Sequence, residues 1–304
     1  MSTAPSYRHN ALAYSGEDDF VRFATTFLIM GLDDGEPGLL ITSPRRIDNV
    51  RVALAELGRG DEAPGLRFLD TATEVRNPAV ALSVLAEFAG EAGGRRVRSI
   101  GDLAGPGRTT AALAEAQLHE MLLNTPVCED WNMWLTCPYD MSELSLEDVE
   151  TVALCHPKHR TDLSNLAAAK FGSELPPRPA DAGTFPIDFR DLGSVRAIVR
   201  TAASMSGLDI ERAEEFVYAV NEVISNSLRH GDGKAEIALW AEGESLVCEV
   251  HDGGRIVDPL TGRIPPSLSR TSGRGLWMVN HLCDLVQVRS PQSGTSVRMF
   301  IAPD

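Results

Sequence analysis

Two sets of residues in this sequence have types and spacings suited to chemistry. The first lies in the last third of the chain. Glu222 and Asn226 stand four residues apart in the segment ERAEEFVYAVNEVISNSLRHG, so at ~100° per residue they share one side of a helix. A carboxylate in such a place can accept the proton of an attacking hydroxyl, and an amide oxygen is a neutral donor to a hard cation such as Mg²⁺. Further on, Asp252-Gly253-Gly254 follows a strand pattern, Gly273-Arg274-Gly275 precedes a helix pattern, and Gly294-Thr295 opens the final strand. An Asp at a strand end can accept a hydrogen bond from an amino group, and Gly254 leaves space beside it. Gly273 and Gly275 let backbone amides approach an anion at a helix N-terminus, with Arg274 between them as a phosphate-competent cation. The competing reading of Glu222 and Asn226 is a solvated helix face. A lone Gly-x-Gly would not outweigh it; four parts in this order do.

The second set is scattered. His9, Glu120, Cys137 and His156 bring imidazole, carboxylate and thiolate, all competent donors to a metal ion or a small polar ligand. The competing reading is that the two histidines bond locally and Cys137 is core.

The elements that must position these residues follow from periodicity. In DLGSVRAIVRTAASMSG, Val195, Ile198, Val199, Ala202 and Ala203 recur at helical spacing, Gly207 supplies a stop, and Asp209 can cap the next helix. On that next helix Ala213, Val217, Val220, Ile224 and Leu228 fall in a stripe about 80° wide, with Glu222 and Asn226 nearly opposite. Upstream, apolar runs at 38–43, 66–70, 97–102 and 133–140 alternate with helical patterns near 47–57, 77–91, 113–123 and 144–154. That alternation predicts a mostly parallel sheet covered by helices. Such a fold holds nucleotides through a loop ending in Gly-Lys-Ser/Thr, and the nearest stretch, GPGRT at Gly105–Thr109, lacks the lysine. Between the two regions the run GSELPPRPADAGT, 172–184, concentrates Pro, Gly and small polar residues and predicts a linker.

Composition narrows the class. A chain of 304 residues exceeds one ordinary core, so two domains are expected. A net charge of −15 opposes phosphate-backbone binding and argues against direct contact with nucleic acid, while favouring encounter with a basic protein surface. No apolar run approaches the roughly 20 residues that span a bilayer, and the N-terminus shows no signal-peptide pattern, so a cytoplasmic protein with no membrane contact is expected. Five cysteines without C-x-x-C pairing predict buried thiols rather than a disulfide framework or a zinc ribbon.

Residues 7–160 resemble the MEDS sensory domain through His9 with Tyr14, GEPGLLI from Gly35, GDLAGPGRT from Gly101, His119-Glu120 with Asn124, Cys137-Pro138-Tyr139-Asp140 and His156-Pro157. The resemblance implies a RecA-like sensory module, without a P-loop, over 1–171. From Phe185 the four glycine-bearing parts resemble the boxes of the Bergerat, or GHKL, ATP-binding fold, an α/β sandwich over 185–304. Among its branches the segment is similar to the small anti-sigma-factor kinases, with two abutting leading helices and GRGLWMV before LCDLVQVRS.

That resemblance implies ATP and Mg²⁺ as cofactors. It implies Glu222 as base, Asn226 as Mg²⁺ ligand, Asp252, Gly254 and Thr295 at adenine, and Gly273, Arg274 and Gly275 at phosphate. The partners it implies are a sigma factor, a STAS-type anti-anti-sigma protein phosphorylated on Ser or Thr, and a second copy of the chain. The run from Gly253 to Ser272 departs from the family pattern, carrying Pro259, Pro265 and Pro266 and no second glycine soon after Gly254. Two alternatives therefore stay open: an ATP-dependent binding module without phosphotransfer, and a ligand- or metal-triggered sensor in which the ATP site is structural. Arg255, Arg263 and Arg270 in the same run are read as surface charges.

Overall fold

The computed structural model describes residues 7–60, 65–105, 108–142, 144–157, 161–231, 233–265 and 274–303. Two compact units divide the chain, Met1–Asn165 and Leu166–Asp304.

The first unit is a five-stranded, wholly parallel sheet in the order β1-β5-β4-β2-β3. Its strands are β1 (Arg8–Tyr14), β2 (Gly38–Thr42), β3 (Leu66–Asp70), β4 (Val97–Gly101) and β5 (Met133–Asp140), joined through α1 (Glu17–Asp33), α2 (Pro44–Glu56), α3 (Pro78–Glu91) and α4 (Thr110–Leu122), with α5 (Leu146–Cys155) after β5. Strands β2 and β4 are buried at every position, as parallel strands covered on both faces must be. The strand order reverses between β2 and β4, and the crevice past their C-terminal ends is where such sheets hold ligands. Here that place carries a buried polar cluster. Arg46 Nη1 donates to Asp102 Oδ2 at 2.8 Å, Thr42 Oγ1 donates to the same oxygen at 2.7 Å, and Arg46 Nη2 donates to Tyr14 OH at 2.7 Å. An arginine thus neutralises the buried carboxylate at this crevice.

Helix α6 (Ser164–Phe171) leads into the second unit, a five-stranded antiparallel sheet in the order β6-β7-β8-β10-β9. Its strands are β6 (Gly183–Ile187), β7 (Ala235–Glu242), β8 (Ser245–Asp252), β9 (Leu285–Arg289) and β10 (Thr295–Ile301), with α7 (Leu192–Met205), α8 (Ile210–His230) and α9 (Gly275–Leu282). Helix α8 packs on β7, β8 and β10 and meets both α7 and α9. Its buried set therefore exceeds the narrow stripe expected: Phe216, Ala219, Val223 and Ser227 join Ala213, Val217, Val220, Ile224 and Leu228. Asp209 caps it, Oδ1 accepting from Arg212 N at 2.9 Å. Helix α7 differs from expectation at Ile198, which is exposed while Val195, Val199 and Ala203 are buried.

The Pro-rich run 172–184 lies within the second unit. Arg178 Nε donates to Glu249 Oε1 at 2.8 Å, Arg298 Nε donates to Glu249 Oε2 at 2.7 Å, and Arg298 Nη2 donates to Pro176 O at 2.8 Å. Composition alone reads this run as a free linker. In the structure an ion-pair network ties it to the central strands β8 and β10, a long-range pairing that no local pattern reveals.

Candidate functional site

Helix α8, the end of β8, the start of β10 and the first turn of α9 enclose a cavity of about 910 Å³, at the upper end of the range for small-molecule sites. Glu222 and Asn226 line it from α8, Asp252 and Gly254 from the end of β8, Thr295 from β10, and Arg274 and Gly275 from the head of α9. Gly273, the remaining residue of this predicted set, lies outside the described residues, as does Arg270.

The two α8 side chains are half-buried and joined, Asn226 Nδ2 donating to Glu222 Oε1 at 3.2 Å. That bond uses the amide nitrogen and leaves the amide oxygen, the better cation ligand, for another partner. Helix α9 begins directly against them. A Cβ on Gly275 would stand 2.1 Å from Glu222 Oε1 and 2.9 Å from Asn226 Nδ2, so glycine lets the backbone of this helix N-terminus lie on the pair without displacing either side chain. Exposed Arg274 stands beside it at the N-cap.

At the other end Asp252 is buried and Thr295 is its register partner across the β8–β10 ladder. Asp252 Oδ1 accepts from Gly254 N at 2.7 Å. Thr295 Oγ1 donates to Gly254 O at 2.9 Å and lies 2.9 Å from Ser290 Oγ, which accepts from Ile256 N at 2.9 Å. A Cβ on Gly254 would meet Asp252 Oδ1 at 2.8 Å, and one on Gly294, whose φ is +138°, would meet Asp252 O at 2.2 Å. The backbone around the Asp252 carboxylate is therefore bare by necessity. A carboxylate and hydroxyl at one end, and an amide oxygen, a carboxylate and a helix N-terminus at the other, suit a base linked to phosphates held with Mg²⁺; the donor set fits ATP.

Residues that periodicity did not single out complete the cavity. Tyr218, Ser227 and His230 line it from α8, and Ile256, Val257 and Leu276 give it apolar walls. Among the three arginines read as surface charges, Arg255 lines the cavity. Arg263 corrects that reading: it is only 4% exposed. The described part of the Pro-bearing run is anchored at Gly262, which has φ +80° and whose carbonyl accepts from buried Asn280 Nδ2 at 2.8 Å.

The second predicted set is brought together in the first unit. His9 on β1, Cys137 on β5, Glu120 on α4 and His156 just past α5 place one donor atom each within 4.8 Å of one another. Burial pushes His9 below its ordinary pKa despite the neighbouring Glu120. Burial also opposes charge on His156, but Glu120 holds it above its ordinary value. Glu120, which burial alone would raise, is held well below the carboxylate range by His156 and His9. All five cysteines are buried free thiols, and burial, reinforced by the Glu120 charge, pushes Cys137 well above the usual thiol value.

Residues 8–157 match the family described as the methanogen/methylotroph, DcmR sensory domain, MEDS, and residues 185–301 match the histidine kinase-like ATPase domain. The chain joins a MEDS domain to a histidine kinase-like ATPase domain. The cavity lies in the ATPase domain and the His-Glu-Cys-His cluster in the MEDS domain. No curated protein matches the chain. Among solved structures, the RsbU and RsbW domains of a Mycobacterium tuberculosis protein share 19% identity over 40% of this chain and 32% of that one, with a TM-score of 0.30. The histidine kinase AdeS of Acinetobacter baumannii shares 14% over 40% of this chain and 68% of its own, with a TM-score of 0.25. The chain thus covers about a third of the first of these structures. Among the described residues no helix is long and apolar enough to cross a membrane.

Proposed function

We propose that the ATPase domain binds Mg-ATP in the 910 Å³ cavity and acts as an anti-sigma-factor kinase, phosphorylating a Ser or Thr of a STAS-type anti-anti-sigma protein and sequestering a sigma factor under control of the MEDS domain. The observation that carries this reading is the contact of the α9 N-terminus with Glu222 and Asn226, opposite the Asp252–Thr295 end of the same cavity. ATP supplies a transferable phosphoryl group, and Mg²⁺ offsets the charge on its oxygens.

The chain's own residues would divide the work. Asp252 and Thr295 accept and donate at the base, and Gly254 keeps the backbone clear. Asn226 offers its amide oxygen to the cation, while Arg274 and the amides at the head of α9 face the phosphates. Glu222 takes the proton from the incoming hydroxyl at Oε1 or Oε2. The −15 charge suits a basic protein partner better than nucleic acid and speeds encounter with it. The choice of sigma-factor partners rests on the branch that the α7–α8 and GRGLWMV segments resemble.

The test incubates the full chain with γ-labelled ATP and candidate STAS-type proteins. Label on a partner Ser or Thr supports the reading. Bound ATP with no transfer to any candidate replaces it with an ATP-dependent binding module, and the absence of ATP binding ends it.

A further inference from the structure

The MEDS-domain cluster is a second set of side chains suited to chemistry, none of which lines the ATP cavity. Its donors come from four separate elements, and sequence separations of 115 residues between His9 and Asn124 and 128 between His9 and Cys137 show that only the fold assembles it. His9 Nε2 lies 3.0 Å from Glu120 Oε2 and 3.3 Å from Cys137 Sγ, and His156 Nε2 lies 3.2 Å from the same Glu120 oxygen. The side chains of His9, His156 and Glu120 are 2%, 4% and 6% exposed, so water does not separate these atoms.

The other nitrogen of each ring fixes what those close approaches are. Asn124 Nδ2 donates to Glu120 O at 2.9 Å and to Cys155 O at 2.7 Å. Those two carbonyls settle the orientation of the amide and turn its oxygen toward His9 Nδ1, 3.4 Å away. His9 Nδ1 therefore carries the proton. His156 Nδ1 lies 2.9 Å from Val152 O, an acceptor, and so carries its proton too. When both rings are neutral the bare lone pair of each is on Nε2 and both face one carboxylate oxygen; without a metal, Glu120 favours a proton on His156 in that place. Acceptor facing acceptor is repulsive in a buried place unless a proton or a metal ion lies between, and one metal ion can serve both rings at once. Outer partners that fix Nδ1–H and free Nε2 are the usual support of a metal-bound histidine.

We propose that His9 Nε2, His156 Nε2, Cys137 Sγ and a Glu120 carboxylate oxygen bind one divalent transition-metal ion of the zinc class. Two neutral imidazoles, one thiolate and one carboxylate carry two negative charges, which a divalent ion cancels, so the buried site is electroneutral. Metal–nitrogen and metal–sulfur bonds of about 2.0 and 2.3 Å in a tetrahedron put donors roughly 3.3–3.5 Å apart; the three short separations need to open by a few tenths of an ångström, and the other donor pairs, all within 4.8 Å, need to draw in. A thiolate with imidazoles selects zinc, iron, nickel or copper over Mg²⁺ and Ca²⁺, which prefer oxygen. On binding, the thiol proton of Cys137 and any proton on His156 Nε2 are released to solvent, and the metal–sulfur and metal–nitrogen bonds take their places.

The full chain, stripped with a chelator and confirmed folded by circular dichroism, is titrated with Co²⁺ and then with Zn²⁺ as competitor. The expected result is one equivalent of Co²⁺ with tetrahedral visible bands and a thiolate-to-cobalt charge-transfer band, all displaced by Zn²⁺. Cys137→Ser should lose the charge-transfer band, whereas Cys248→Ala, a buried thiol of the other unit, should keep it. Asn124→Ala should weaken Co²⁺ binding about 10–100-fold. A folded chain that binds no stoichiometric Co²⁺, or a charge-transfer band that survives in Cys137→Ser, overturns the proposal.

Discussion

Replacing Gly275 by Ala is a one-atom probe of the ATP cavity. The new Cβ would lie 2.1 Å from Glu222 Oε1, 2.8 Å from its Cδ and 2.9 Å from Asn226 Nδ2. Opening the shortest of these contacts to 3.0 Å, the least that real Cβ atoms tolerate, moves the Glu222 carboxylate or the head of α9 by about 0.9 Å. The obstacle is the end of a flexible side chain, and at the first residue of α9 alanine gains at most the ~1 kcal/mol it has over glycine in a helix interior. Global stability should therefore change by no more than about 1 kcal/mol in either direction. Catalytic geometry is far less tolerant, since a misplacement of about 1 Å can cost ~10²-fold in rate. Phosphotransfer in Gly275→Ala should fall by about that factor while the melting temperature moves by no more than about 4 °C, and the ATP affinity measured alongside should weaken. A comparison variant, Gly90→Ala, meets no atom within 4 Å and should leave transfer alone. Transfer and ATP affinity both at wild-type levels in a normally folded Gly275→Ala would refute the assignment of this contact to the site.

The remaining predictions follow from the same contacts. Glu222→Gln keeps the shape of the side chain and removes its basicity, so ATP binding should persist while transfer drops about 10²–10⁴-fold, read by calorimetry and a labelled-phosphate assay. Asn226→Ala should weaken ATP binding in the presence of Mg²⁺ and much less in its absence, as calorimetric titrations with and without the cation will show. Glu249→Ala strands Arg298, whose side chain is 6% exposed, beside Arg178, and breaking such a buried pair costs about 3–5 kcal/mol, measured by urea unfolding of the full chain.

How far the sequence reaches depends on whether a feature is local. Helix α8 was readable because its apolar residues repeat at helical spacing and set Glu222 and Asn226 apart from them. The strands β2 to β5 were readable as apolar runs. Strand β1 was not, since RHNALAY is largely exposed along its length and shows no clean alternation; it is an edge strand recruited by β5. Arg46 carried no signal, because an arginine in the first turn of a helix reads as solvated until Asp102, 56 residues away, is placed beside it. Arg263 misled because its burial, at 4% exposed, arises only in the folded chain. Residue types alone nominated His9, Glu120, Cys137 and His156, but the orientation of Asn124, whose oxygen sets which nitrogen of His9 carries the proton, exists only in the folded chain.

The measurement that bears most directly on the central claim is calorimetric titration of the full chain with ATP, with and without Mg²⁺, for the wild type and Asp252→Asn. The account predicts one ATP per chain for the wild type, tighter with Mg²⁺, and a loss of affinity in Asp252→Asn under both conditions, because the altered group lies at the base end of the cavity and not at the cation. No binding by the folded wild-type chain, or binding untouched by Asp252→Asn, would contradict it.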